Sequence, residues 1–231
     1  PYRRDSVNRK MVSLADCEPN VTSFLPLLIN FGRCTFIKAS PMLDITKAID
    51  ELKYVTEVWI ISSRNECKEV LFKLQQKELR SPTIRTFNIT PSHTEEFSFD
   101  MTMDNKQIAF SKPSKFLYEP NASILKSSGQ DVLAEAMGLY KLHRNSNFFT
   151  SEELVEGFPG KTFEIEDVLT PFHSSLRKGR FNVISRNFPK KANEIEKKLK
   201  LLSSKENYLI ATKTLSDQHI FIKCKLLQIH R

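Results

Sequence analysis

Two stretches of this 231-residue chain hold residue types that could do chemistry. The chain opens Pro1-Tyr2-Arg3-Arg4-Asp5, and Ser13-Leu14-Ala15-Asp16-Cys17-Glu18-Pro19 follows shortly after. Proline stiffens a turn. A rigid turn at the carboxyl edge of a sheet can hold a reacting group in line with its partner. The opening therefore reads as the exit loop of a strand whose first part lies upstream; taken alone it could equally be a basic arm. The second stretch is Arg186-Asn187-Phe188-Pro189-Lys190-Lys191, which joins an expected strand to an expected helix. Free N–H groups at a helix start, with cations beside them, suit a phosphate. Arg180, Lys197, Lys198 and Lys200 extend the positive charge along the same segment. The plainer alternative is a solvated lysine-rich helix.

The charge is informative because of where it sits. The net charge is +8, and residues 180–231 hold 12 Lys and Arg against 4 Asp and Glu. Residues 1–179 hold 23 of each sign, so the whole excess lies in the last fifth of the chain. A neutral body with a basic C-terminal module points to a polyanion as partner. Lysines there would supply sequence-independent, salt-sensitive affinity. No aromatic-rich strand of the kind that stacks RNA bases stands out.

With 40% hydrophobic and 27% charged residues, the chain should fold as a globular protein. No apolar run approaches the roughly 18 residues that a membrane span needs. Cys17, Cys34, Cys67 and Cys224 are scattered and form no CxxC pair, which favours reduced thiols in a cytoplasm. The five histidines, His143, His173 and His219 among them, form neither HExxH nor HxH, so no metal site is expected. Six glycines in all form no GxGxxG or P-loop pattern.

The elements that must position these residues read as α/β. Val21, Phe24, Leu25 and Leu28 mark one helix face, and Ile45, Ala48, Ile49 and Leu52 mark another, with Asp44 as its cap. Residues 33–38 and 57–62 read as buried strands. Asn65 would cap a third helix bearing Cys67, Val70, Leu71 and Leu74. Strand starts recurring about every 24 residues fit parallel strands joined by helices, the second half of a doubly wound sheet. Residues 96–101 and 107–110 alternate around Asp104-Asn105 and predict a hairpin. Residues 116–120 are extended, Asn121 caps a helix, Gly138 stops the next one, and Thr150 with Glu153 predicts a further short helix. Residues 161–231 read strand, strand, helix, strand, strand. Pro189 falls in the first turn of that helix, and Ala192, Ile195, Leu199 and Leu202 form its buried stripe.

The runs PYRRD, NRKMVSLADCEPN, IKASPMLDI, NECKEVLF, FLYEPNASILK and SRNFP, in this order along essentially the whole chain, resemble a bacterial methyltransferase family. It is a class I S-adenosylmethionine-dependent family, mainly of the Bacteroidetes, that ends in a THUMP-like domain. Its members carry a DPARRD-type motif at the fourth strand. Here the Asp would stand immediately before Pro1, and the usual Ala is Tyr2. The resemblance implies the C-terminal half of a Rossmann-like methyltransferase sheet (1–112), a ferredoxin-like or helical linking segment (113–160) and a basic THUMP-like α+β domain (161–231).

It also implies roles. Pro1, Tyr2, Arg3, Arg4 and Asp5 would line the catalytic edge, with Asp16, Lys38, Ser40 and Asn65 at the cofactor or substrate edge. Capping of the helix at 20–30 is an equally good use for Asp16 and Glu18, and Lys38 could simply reach solvent. Arg180, Arg186, Asn187, Lys190, Lys191, Lys197 and Lys198 would bind RNA. The expected function is part of a methyltransferase acting on an RNA base, with S-adenosylmethionine held mostly upstream and this part alone inactive. A non-catalytic RNA-binding module, or a methyltransferase for another substrate, is the alternative. Exposed sheet edges could pair with another copy.

Overall fold

Two short side chains start the first helices. Asn20 accepts the amide of Thr22 and opens a 3-10 turn at Val21–Phe24, which continues as helix α1, Leu25–Phe31. Asp44 accepts the amide of Lys47 and caps α2, Ile45–Leu52, whose Ala48 and Leu52 are buried. The computed structural model describes residues 13–14, 19–31, 34–76, 81–101 and 108–227. It divides into two compact units: Pro1–Asn105 with Asn121–Gly129, and Lys106–Pro120 with Gln130–Arg231.

The first unit is built on a five-stranded sheet. Its strands are β1 (Thr35–Ala39), β2 (Val55–Ser63), β3 (Glu66–Leu74), β4 (Thr83–Ile89) and β5 (Thr94–Asp100), in the order β1-β3-β2-β4-β5. β1 and β2 both run antiparallel to β3, so they are parallel to each other, as expected, but β3 lies between them. β4 runs parallel to β2, and β5 returns antiparallel to β4. Ile29, Ala48 and Leu52 pack with Ile37, Val58, Ile60, Val70, Phe72 and Ile84 in one core on one face of the sheet. The other face carries Phe36, Trp59 and Phe87 in ring contact, with the Arg85 guanidinium 5.8 Å from the indole.

Two expectations for this unit are corrected. The helix after Asn65 is strand β3. Val70, Phe72 and Leu74 are buried while Leu71 and Lys73 are half-buried, an alternation of period two that coincides with helical spacing over so short a run. Arg64 and Asn65 take φ of +51° and +61°, the geometry of a two-residue hairpin turn, so β2 and β3 form a tight hairpin. The hairpin expected around Asp104-Asn105 does not hold either. Residues 94–100 pair instead with β4, across a turn in which the Thr90 hydroxyl accepts the His93 amide at 3.0 Å. Asp104 and Asn105 lie outside the described residues, and Phe110 forms an isolated bridge with Lys141.

Helix α3 (Ala122–Ser127) belongs to this first unit and is fastened to it by a polar network that is buried at Asn88, Glu95 and Asn121 and reaches the exposed Asn65. Asn121 accepts the amides of Ser123 and Ile124 and donates to Glu95 at 2.8 Å. Glu95 also accepts from Asn88 at 2.9 Å. Asn88 in turn accepts the Asn65 amide, and Asn65 accepts the Ala122 amide at 2.7 Å.

The second unit holds a seven-stranded sheet. Its strands are β6 (Phe116–Pro120), β7 (Tyr140–Lys141), β8 (Phe149–Ser151), β9 (Gly160–Leu169), β10 (Asn182–Ser185), β11 (Asn207–Lys213) and β12 (His219–Leu226). Their order is β10-β11-β12-β9-β6-β8-β7. Helix α4 spans Gln130–Ala136, and Gly138 follows it at φ +65°, as its stop signal predicts. Helix α5 spans Ala192–Leu199 and buries Ile195 and Leu199 in a core with Leu209, Ala211 and Phe221.

Three details depart from expectation. Thr150 does not cap a helix: its hydroxyl donates to the Phe116 carbonyl and accepts the Ser114 amide, which ties β8 to β6. Pro189 lies in the bend before α5, whose cap is Lys191. Leu202 lies past the helix end, bridged to Arg180 and exposed.

Candidate nucleic-acid interface

Of the residues expected at the catalytic and cofactor edge, Pro1, Tyr2, Arg3, Arg4, Asp5 and Asp16 lie outside the described residues. The other three are engaged in structural contacts. Lys38 on β1 pairs with Glu69 on the neighbouring strand at 2.7 Å. The Ser40 hydroxyl accepts the Met42 amide at 3.3 Å and shapes the turn before α2. Asn65 holds the start of α3. Lys38 lies near the carboxyl end of β1, and Asn65 follows the carboxyl end of β2.

The basic residues fall into two groups about α5. Arg186, Asn187, Lys190 and Lys191 lie in the loop between β10 and the helix start. Lys197 and Lys198 occupy its last turn. Arg180 stands at the far end of β10, bridged to Leu202 just beyond the helix. Six to seven residues of helical rise separate Lys191 from Lys197 and Lys198, roughly 10 Å.

The groups differ in what the cations are free to do. In the second, Lys197 and Lys198 sit where the helix dipole favours positive charge, and Lys198 lies 3.9 Å from the centre of the Phe172 ring. Those contacts stabilise the fold whether or not anything binds. In the first, the expected use of free helix amides is corrected in part. Glu194 reaches back to accept the Lys191 amide at 2.7 Å, a capping box that occupies one donor with the protein's own carboxylate. Side-chain cations, more than helix amides, therefore make this loop attractive to phosphate.

The loop itself is held firmly. Asn187 takes φ of +54°, and the Ser185 hydroxyl donates to the Lys190 carbonyl at 2.6 Å, closing the bend. Arg186 pairs with Glu119 of β6 at 3.2 Å, and Lys161 of β9 approaches the same carboxylate at 3.8 Å. Asn187 donates to His143 Nδ1 at 2.9 Å. The Asn145 amide, which can only donate, also points at Nδ1, at 3.0 Å. Nδ1 is thus the unprotonated nitrogen, and Nε2–H donates to Asp217 at 3.3 Å. The Lys213 ammonium, with help from His143, holds the Asp217 carboxyl below its ordinary range. Sequence reasoning missed Glu119, Lys161 and His143. Their partners lie far along the chain, and no local spacing signals them.

Residues 116–159 match a ferredoxin-like domain family, and residues 160–226 match the THUMP domain-like family. Among solved structures, one described as a putative methyltransferase from Porphyromonas gingivalis W83 superposes with a TM-score of 0.84 at 27% sequence identity. The match covers 92% of this chain and 56% of that one, so the chain spans little more than half the length of the structure it resembles. The mixed α/β fold class expected from the sequence is thereby shown. No curated protein matches the chain.

Proposed function

We propose that this chain is part of an S-adenosylmethionine-dependent methyltransferase of an RNA base and that its basic THUMP-like domain grips the RNA backbone. One observation carries the reading: the entire net charge lies within residues 180–231, and these largely coincide with the THUMP-like match. The likeness to a methyltransferase structure supplies the reaction class. In this reading the loop 186–191 meets phosphate through Arg186, Lys190 and Lys191, and Arg180, Lys197 and Lys198 extend the track. Among the described residues Cys34, Cys67 and Cys224 are free thiols, which suits a reducing cytoplasm. No helix among the described residues is long and apolar enough to cross a membrane.

S-adenosylmethionine would supply the methyl group. The described residues at the carboxyl edge do not fit a cofactor site. Lys38 is paired, Ser40 shapes a turn, and Asn65 is bonded to α3. No catalytic step is assigned to them. The second reading is an RNA-binding module without catalysis, which the charge excess in residues 180–231 suits equally.

Two measurements separate the readings. Binding of labelled structured RNA to this chain should weaken steeply with salt, and Lys190→Glu with Lys191→Glu should abolish most of it. Transfer of tritiated methyl from S-adenosylmethionine to RNA of a deletion strain, measured on the protein as the cell makes it, should follow. RNA binding without methyl transfer would leave the non-catalytic reading; absence of both would overturn the proposal.

A further inference from the structure

The RNA-facing loop is anchored by two buried side chains that lie outside the THUMP-like match. Glu119 is 6% exposed, and its carboxylate pairs with Arg186 and Lys161. His143 is likewise 6% exposed and holds Asn187 from one ring nitrogen and Asp217 from the other. Both belong to the ferredoxin-like match at residues 116–159; Arg186, Asn187, Lys161 and Asp217 belong to the THUMP-like match at 160–226. Two successive residues of the loop, Arg186 and Asn187, are therefore each tied to a different strand or turn of the neighbouring segment.

We infer that Glu119 and His143 are positioning residues of the polyanion site, so that the site is built by both matched segments and not by the THUMP-like domain alone. The physical case begins with Arg186. Its side chain is 57% exposed, and a free arginine would sample many rotamers. The buried carboxylate at Nη2, with the Ser185 carbonyl accepting from Nη1 at 3.3 Å, fixes the direction of the guanidinium and leaves its other N–H donors for a phosphate. Asn187 at positive φ sets the path of the loop, and His143 Nδ1 holds it there. The ferredoxin-like segment would then act on RNA binding without touching RNA.

The inference rests on the RNA reading, and the sign of one substitution tests it. Glu119→Gln removes a negative charge beside a polyanion site. If charge alone governed binding, affinity would rise. A positioning role predicts the opposite: roughly tenfold weaker binding, as for loss of one charge-assisted contact, with a shallower salt slope. In an Arg186→Ala background the same change should do almost nothing further.

At His143 two variants divide the ring's roles. Asn can place its Oδ1 where Nδ1 accepts from Asn187; Gln can place its amide where Nε2 donates to Asp217. His143→Asn should keep RNA affinity within about twofold, whereas His143→Gln should lose it comparably to Glu119→Gln. Amide hydrogen exchange of residues 185–191 in the same proteins gives a readout that needs no RNA. Faster exchange confined to this loop is expected in Glu119→Gln and His143→Gln. Unchanged exchange, or equal or tighter RNA binding by Glu119→Gln, would overturn the inference. Loop loosening in a chain that binds no RNA would confirm the clamp and overturn both its assigned role and the RNA reading. Loosening of the whole second unit would reduce both residues to general stabilisers and overturn it too.

Discussion

Asn121→Ala should destabilise the first unit far more than an ordinary helix cap. The side chain is 2% exposed and does two jobs. Its Oδ1 accepts the amides of Ser123 and Ile124 at 3.1 and 3.2 Å, and its Nδ2 donates to the Glu95 carboxylate at 2.8 Å. Loss of an N-cap costs about 1 kcal/mol. Loss of a hydrogen bond to a charged, buried partner costs about 1.5–3 kcal/mol. The two losses share one residue and one network, so we take about 2.5–3.5 kcal/mol as the expected total, roughly a hundredfold in the unfolding equilibrium. Asn121→Asp separates the two jobs, because it keeps the capping oxygen and places a second carboxylate against Glu95. At neutral pH it should be at least as damaging as Ala, and it should recover on acidification as one of the two carboxylates takes a proton. Trp59 is the chain's single tryptophan and stands in the same unit, so urea titration followed by its fluorescence reports this unit directly. A destabilisation by Asn121→Ala below about 0.5 kcal/mol would refute the assignment of a strong buried network. So would an Asn121→Asp protein that is as stable as wild type at pH 7.

Other consequences can be checked with the same protein. The hydrogen bond from Lys73, with that from Trp59, holds the Glu57 carboxyl below its ordinary value of 4.5. A lowered native pKa contributes stability that is present above the unfolded value and is lost as pH falls through the native one. Acid titration of Trp59 fluorescence should therefore show a loss of stability below about pH 4.5 that is smaller in Glu57→Gln. Burial pushes the Cys224 thiol far up, with Glu166 adding to the effect, and burial also raises Cys67. Of the three described cysteines, native alkylation followed by mass spectrometry should then modify exposed Cys34 first, Cys67 slowly and Cys224 only on unfolding. Asn65→Val should cost about 2 kcal/mol, since a β-branched residue resists φ of +61° and leaves the Ala122 amide without its acceptor. Asn65→Gly should recover the turn but not the acceptor, and a chemical-denaturation series would show the difference.

Local signals were legible wherever one residue or one turn sufficed. Asp44, Asn121 and Gly138 mark helix ends because a cap or a positive φ is decided within three or four residues. Strand β9 was readable from the alternation of residues 162–166, α5 from its stripe, and β10 to β12 as short apolar runs. The error at residues 66–74 has the opposite cause. Apolar residues at Cys67, Val70, Leu71 and Leu74 satisfy a helical face, while Val70, Phe72 and Leu74 satisfy a strand face. Nine residues do not separate the two periods; pairing with β1 on one side and β2 on the other does. Thr150 likewise matches a capping box in sequence, but the Ser114 amide and the Phe116 carbonyl of β6 give its hydroxyl a donor and an acceptor.

The same boundary runs through the candidate site. The sequence by itself determined the α/β class, the position of the charge excess and the loop between β10 and α5 that carries Arg186 to Lys191. Composition and short-range pattern are enough for these. Only the tertiary structure decided which cations are held and by what. Lys38 is matched to Glu69, Lys198 lies on the Phe172 ring, and Arg186 and Asn187 are tied to Glu119 and His143. Those partners are 26 to 67 residues apart in the chain. Buried polar atoms must find partners wherever the fold brings them together, and no spacing rule in one strand or helix encodes that choice.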